Sequence, residues 1–429
     1  MRVLAYRVML SVVLLSAVLV VAQYHRVEVV WRKSLNPAEG PDILISTCLG
    51  GDRLYIVYRS YSRERGSWTS RLEVRELGSG ALVAEPMVWD DVLWRSCNIY
   101  GGTLYLAGYR VVGEGRVWVV ASLSLSSLQE LRRVEGVSGA PTHITIYGGN
   151  LVVVGWCPEE GGGGEYWKVE MRDPETLELL NYVESDPKPG KADYPLFAAV
   201  NPKTEHLWVF GEADKLWYVE IYDSSLRRVA VIDDIYLRTY ALTAVFDDEG
   251  YVYVGGGWGL VRFSWNGTRV SMYTPRYIYF TSLALHGDYI VAAAFTYPRN
   301  VSYYLYVFDR SLNPVLIEPL DVAISYEAVK TLASPVLPQV YSLSGRLYLA
   351  LTEYLKSGTT VEEIDTAITL LSLTLRKPEP ATTAPTTSTP SPTLPQVPVG
   401  YPSWLLAIAG VGLAVALSAA ILLVRSRKS

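Results

Sequence analysis

Residues 96–110 read SCNIYGGTLYLAGYR, and this stretch decides the fold. A first strand runs into Gly101-Gly102, and a second strand rich in Leu and Tyr leaves the turn. Paired glycines reach the positive-φ conformations that a tight hairpin needs. The unit recurs as ILISTCLGGDRLYIVYR from Ile43, THITIYGGNLVVVGW from Thr142 and AAVNPKTEHLWVFGE from Ala198. It continues as TAVFDDEGYVYVGGG from Thr243, TSLALHGDYIVAAAF from Thr281 and PQVYSLSGRLYLALT from Pro338. Seven copies at intervals of roughly 50 residues have the spacing of propeller blades.

A third strand follows in most copies, as in RLEVREL, YWKVEMRDPETLELL, LWYVEIYDSSLRRVAV and LYVFDRSLNPVLIEPL. The Asp/Ser/Pro cluster after it is turn chemistry, because Asx side chains bond their own backbone. The run beyond that turn is a fourth strand. The prediction is an all-β, seven-bladed β-propeller of four-stranded blades. The last copy has a third strand, ITLLSLTLRK from Ile368, but no fourth. RVEVVWRKSL, from Arg26, precedes the first copy as an orphan strand. The orphan fills the vacancy, so Val27 to Lys33 is expected to pair with Ile368 to Leu375. That closes the ring and leaves no exposed sheet edge.

GGTLYLAG and VEMRDPETLEL resemble Kelch-type blades, in which a Gly-flanked strand is coupled to a YDPxT-like turn. The resemblance covers most of residues 23–376 in degenerate form, and it too implies a propeller. The double glycine ending the second strand is clear only at Gly255-Gly256, and the late blade tryptophan is absent.

The chain has 429 residues, with 31 tyrosines, 12 tryptophans and a formal charge of −5. No long stretch carries a helical period, and Tyr, Trp and Val favour strands. Without a basic patch, nucleic acid is not an expected partner.

The ends of the chain have different chemistry. Residues 1–22 read as a signal peptide, or as an uncleaved signal anchor: Arg2 and Arg7 precede the apolar run Val8 to Ala22, and small residues end it. Residues 377–403, PEPATTAPTTSTPSPTLPQVPVGYP and its flanks, form a Pro/Thr-rich stalk favouring extended polyproline II. Residues 404–424, Trp404 to Val424, are uncharged and long enough to cross a bilayer as one helix. Arg425, Arg427 and Lys428 lie in the basic tail 425–429, which belongs on the cytoplasmic side. This tether resembles that of archaeal surface proteins. The expected protein is a single-pass cell-membrane protein with its ectodomain outside.

Chemical signatures are sparse. Cys48, Cys97 and Cys157 read better as small buried side chains than as a pair, although export permits a disulfide. His25, His143, His206 and His286 stand singly, without metal-ligand spacing. No GxSxG, P-loop or EF-hand pattern occurs, and neither a metal nor a cofactor is expected. Asp90-Asp91 and Asp233-Asp234 lie between blades, and Asp247-Asp248 lies in a hairpin turn; turn carboxylates are the simpler reading. Asn266 and Asn300 head N-glycosylation sequons.

The expected function is a binding or scaffold module for a protein or glycan at the cell surface. A surface hydrolase or lyase, or an accessory subunit of a membrane complex, is the alternative. Carboxylates, or Arg with Tyr, converging at the propeller mouth would favour the enzyme, and a neutral mouth would favour binding. Strand direction puts the tight turns on one face. The long loops, including Ser60 to Ser67 and Cys157 to Glu165, go on the other, where binding sites usually form. Asp90, Asp91, Asp233, Asp234, Glu159 and Glu160 are the candidate ligand-face residues.

Overall fold

Leu104 to Ala107 is apolar at four consecutive positions, so both faces of this strand must be buried. The structure, a computed structural model, shows where each face goes. It describes residues 25–35, 42–62, 64–161, 163–233, 237, 240–296, 302–320, 339–356 and 364–375. All belong to the unit Met1–Arg376. The proposed signal, stalk and membrane helix lie outside the described residues, as do Asp234 and Asn300.

The described residues form seven four-stranded antiparallel sheets. β1 (His25–Leu35) precedes blade 1, which comprises β2 (Asp42–Gly50), β3 (Arg53–Ser62), β4 (Ser67–Glu76) and β5 (Met87–Trp89). Blade 2 has β6 (Leu93–Tyr100), β7 (Thr103–Val112), β8 (Gly115–Ser124) and β9 (Glu130–Ser138). Blade 3 has β10 (Ala140–Tyr147), β11 (Asn150–Pro158), β12 (Glu165–Arg172) and β13 (Leu179–Ser185). Blade 4 has β14 (Tyr194–Val200), β15 (Leu207–Ala213), β16 (Leu216–Tyr222) and β17 (Arg228–Ile232). Blade 5 has β18 (Ala241–Phe246), β19 (Val252–Gly256), β20 (Gly259–Phe263) and β21 (Arg269–Tyr273). Blade 6 has β22 (Ile278–His286), β23 (Tyr289–Thr296), β24 (Tyr303–Asp309) and β25 (Pro314–Leu320). Blade 7 is β26 (Gln339–Leu343), β27 (Arg346–Lys356) and β28 (Ile364–Leu375), completed by β1. The protein is a seven-bladed β-propeller.

Successive side chains of a strand point to opposite faces, so each blade feeds two cores. Leu104 and Leu106 pack with Val57 and Val74 of blade 1, whereas Tyr105 and Ala107 pack with Leu151 and Val153 of blade 3. The hydrophobic core is therefore divided into layers between neighbouring blades rather than gathered at the centre.

The orphan strand closes the ring as expected. Val27 pairs with Leu373, and Lys33 with Ile368. Trp31 fixes the seam: its ring is 6 % exposed, and its Nε1 donates to the carbonyl of Leu77 in blade 1 at 2.9 Å.

Asx chemistry also appears where the sequence places it. Asp173 Oδ1 accepts from the amides of Glu175 and Thr176; Asp223 and Asp309 do the same in blades 4 and 6. Each such turn ends on a leucine at positive φ, namely Leu177, Leu226 and Leu312. That conformation costs about 1–2 kcal/mol in an L-residue. Here it drops the leucine between blades, where exposure is 5 % or less, and burying a leucine offsets the strain by roughly 1.5–3 kcal/mol.

One expectation is corrected. Cys48 and Cys97 form a disulfide between the inner strands of blades 1 and 2, and Cys157 alone is free and buried. Cys48 faces forward and Cys97 backward, so the two side chains meet in one core layer.

Candidate functional site

The inner strands surround a channel whose described walls enclose about 380 Å³. Their register carries a repeated irregularity. In blades 1 to 6 one extra residue interrupts the pairing with the second strand: Ile45, Arg95, Thr142, Leu196, Leu242 and Thr281. A bulge bends the strand and re-aims the extra side chain. All six line the channel. Opposite the bulge, the second strand comes so close that a side chain is excluded in blades 2 to 5. A Cβ on Gly155 would lie 2.5 Å from the Ala140 carbonyl oxygen and 2.7 Å from Trp118 Cζ2. Gly211 meets Tyr194 and Trp167 in the same way, and Gly256 meets Tyr240 and Trp217.

The residue after the bulge ties one blade to the next. Ser96 Oγ accepts from the amide of Ile144, His143 Nδ1 from Ala198, and Ser282 Oγ from Val340. His143 thus does a serine's work. Burial lowers its pKa to about 4, so the ring is neutral and accepts. Lower in the channel, Gln339 Oε1 accepts from the Thr47 amide, and the Tyr341 hydroxyl donates to the Thr47 carbonyl. The channel wall is thus hydroxyl, amide, imidazole and apolar, and its one charged side chain among the described residues is Arg95.

Arg95 does not stand alone. Arg59 and Arg116 converge on Tyr109, 5.5 and 5.0 Å from its ring centroid, and Arg116 also lies 5.5 Å from the Trp156 ring. Arg59 Nη2 donates to the carbonyl of Trp94 at 3.2 Å. Desolvation lowers the Arg59 pKa to about 10; Tyr109 opposes the shift, and Arg95 and Arg116 add to it. Desolvation likewise lowers Arg95, with Arg116 adding and Tyr109 opposing. The side chains of Arg95 and Arg116 make no hydrogen bond or ion pair with any described residue. All three lie toward the long-loop face: Arg59 near the end of β3, Arg95 near the start of β6 and Arg116 near the start of β8.

Carboxylates occupy the same face in blade 4. Asp193 is fully buried and accepts from the amides of Lys188 and Asp214. Burial raises it to about 6. Burial, with Asp193 nearby, raises Glu212 to about 7, although Lys215 opposes this. Among aromatics, Trp258 and Tyr277 are exposed, have positive φ and meet edge to face at 6.3 Å beside a pocket of about 270 Å³.

The described acidic residues singled out in the sequence lie in separate places. Asp90 pairs with Arg65 and Asp91 with Arg133, both at 2.8 Å on the surface beside blades 1 and 2. Glu159 Oε1 accepts from the Gly190 amide, bracing two loops of blade 3, and Glu160 is exposed beside it. Asp233 is exposed after β17. Asp247 is buried, accepting from the Tyr253 hydroxyl and the Tyr251 amide. Asn266 is exposed in a third-to-fourth turn, on the tight-turn face.

Sequence reasoning missed Arg59, Arg95, Arg116 and Glu212. A signal existed for Arg95. When the inner strands are aligned on their bulges, its position holds Ile, Thr, Leu, Leu and Thr in the other blades.

No protein family's sequence profile matches the chain, and no curated protein is recognisably similar to it. Some solved structures are distantly similar to the chain. An acylaminoacyl peptidase from Pyrococcus horikoshii is 12 % identical at a TM-score of 0.46, over 72 % of this chain and 49 % of its own. This chain therefore spans about half the length of that peptidase. The propeller domain of the trilobed protease from Pyrococcus furiosus is 11 % identical at 0.45, over 77 % and 93 %. Chaetomium thermophilum Sqt1, bound to the N-terminus of ribosomal protein L10, is 10 % identical at 0.48, over 79 % and 98 %. Likenesses this distant carry no argument about activity or partner.

Proposed function

We propose that the protein is a membrane-anchored surface module that binds a protein or glycan partner through its long-loop face. The observation that carries this is the bulge ring. Six blades each aim one side chain into a common channel beside the long loops. Five of those six side chains are neutral, which suits recognition rather than bond breaking. Anchorage rests on the sequence: an export signal, a Pro/Thr stalk, an apolar span and a basic tail, which together favour an external ectodomain and an internal C-terminus.

Two experiments test the proposal. Protease added to intact cells should remove the ectodomain and spare residues 425–429; protection of both refutes the topology. Binding of the full-length protein to arrayed surface glycans and proteins should fall when loop-face residues such as Arg65 or Glu160 are charge-reversed. It should survive changes at Arg53 or Arg346 beside the tight turns, and the opposite pattern refutes the face assignment.

A second reading, a surface hydrolase or lyase, is favoured by one observation. Glu212 and Asp193 are carboxyls held near neutrality, which general acid–base chemistry requires. Turnover of a polysaccharide or peptide that vanishes in Glu212→Gln would establish it, and undiminished turnover would remove it.

A further inference from the structure

The bulge ring poses a question that packing alone does not answer. Five blades fill the position with Ile, Thr or Leu. Blade 2 puts a guanidinium there, flanked by Arg59 of blade 1 and Arg116 of blade 2. Desolvating a cation carries a penalty of several kcal/mol unless an anion faces it. No described carboxylate does so: Asp90, Asp91 and Glu135 are each taken by a different arginine, namely Arg65, Arg133 and Arg110. Independently, the Nε of Arg59 is buried without a hydrogen-bond partner. Arg116 lies over the rings of Tyr109 and Trp156, which hold a guanidinium without neutralising it.

We propose that Arg95, supported by Arg59 and Arg116, is an anion subsite at the channel mouth that takes the carboxylate of an acidic saccharide. The inference rests on the binding role proposed above and gives that role a ligand class. A planar guanidinium matches a carboxylate through paired hydrogen bonds, and such charge-assisted bonds are the strong ones. The rest of the wall selects the saccharide. Thr47, Thr142, Asn98 and Gln339 both donate and accept, as sugar hydroxyls do, while Ile45 and Leu242 offer apolar surface to a ring face. The volume of about 380 Å³ lies at the small-molecule end of binding cavities.

The test is calorimetric titration of the full-length protein, solubilised in detergent, with digalacturonate, lactose and acetyl-triglycine. Digalacturonate should bind, weakening with added salt, and lactose should bind much less. Arg95→Gln should weaken digalacturonate about ten- to a hundred-fold while the melting temperature holds or rises, since an unpaired cation has been removed. Arg53→Gln, beside the tight turns and outside the channel, should leave it unchanged. Equal binding by Arg95→Gln overturns the subsite, as does equal affinity for lactose or failure of wild type to bind digalacturonate. Tighter binding of acetyl-triglycine overturns the saccharide class in favour of a peptide carboxylate. If these results go against the subsite while loop-face charge reversals still abolish partner binding on the arrays, the subsite falls and the binding role stands.

Discussion

Replacing Trp31 by alanine tests how the ring is closed. Trp31 belongs to the N-terminal strand of blade 7, yet its indole donates to Leu77 of blade 1 and lies against Gly80, where a Cβ would come within 2.6 Å of the ring. Truncating a buried tryptophan costs about 3–5 kcal/mol. The Leu77 carbonyl also loses its donor, adding about 1 kcal/mol. With an unfolding entropy of about 2.1 cal/mol/K per residue over about 350 residues, the melting temperature should fall by roughly 5–8 °C. Val29 lies on the same strand but is 64 % exposed, so Val29→Thr should shift melting by less than about 1 °C. Calorimetry gives the melting shift, and hydrogen exchange should show Ile368 to Leu373 of β28 losing protection in Trp31→Ala alone. If Trp31→Ala melts with the wild type, or Val29→Thr does equal damage, the strand does not close the ring as argued.

Three further outcomes follow from the geometry. Unreduced protein unfolded in denaturant should expose one thiol, Cys157. Losing the Cys48–Cys97 link across 49 residues should cost about 4 kcal/mol, and three thiols without reductant would refute the pairing. Glu212 keeps its proton in the fold up to about pH 7, whereas the unfolded chain releases it near pH 4. Its contribution is therefore full below about pH 4 and lost as pH rises through 7. Denaturant midpoints should show that decline in wild type and a flatter profile in Glu212→Gln; identical profiles would count against the burial argument. Gly155→Ala drives a Cβ into the Ala140 carbonyl and Trp118, whereas Gly148→Ala, in the adjoining hairpin, meets open space at φ +56°. The first should cost about 1–3 kcal/mol or more and the second about 1 kcal/mol, and the reverse order in urea melts would refute the close approach.

What the sequence reveals here follows the range of the physics. Turn glycines, Asx turns and apolar runs act over a few residues, so the strands, the blade count and the pairing of Val27 to Lys33 with β28 are legible by inspection. The disulfide needs one further step. Counted back from their hairpins, Cys48 aligns with Asn98 and Cys97 with Thr47. The one-residue offset turns one side chain forward and the other backward, and only registering the two hairpins exposes it. The candidate site is harder. Arg59, Arg95 and Arg116 come from three strands of two blades, and Asp91 meets Arg133 across most of a blade. No local pattern joins such residues; ring curvature and the repeated bulge do.

The closure of blade 7 also sets how the molecule bears mechanical load. β28 lies between β27 and β1 and is antiparallel to both. It is in register with His25 to Leu35 on one side and Leu347 to Lys356 on the other. Tension applied along the axis of β28 acts across its interstrand hydrogen bonds, which lie perpendicular to that axis. The two ladders are therefore loaded in shear, all rungs at once, instead of being peeled open rung by rung. A strand held on one side only would share the same pull among half as many bonds. The early strand that covers the outer edge of β28 thereby doubles the ladders that hold it.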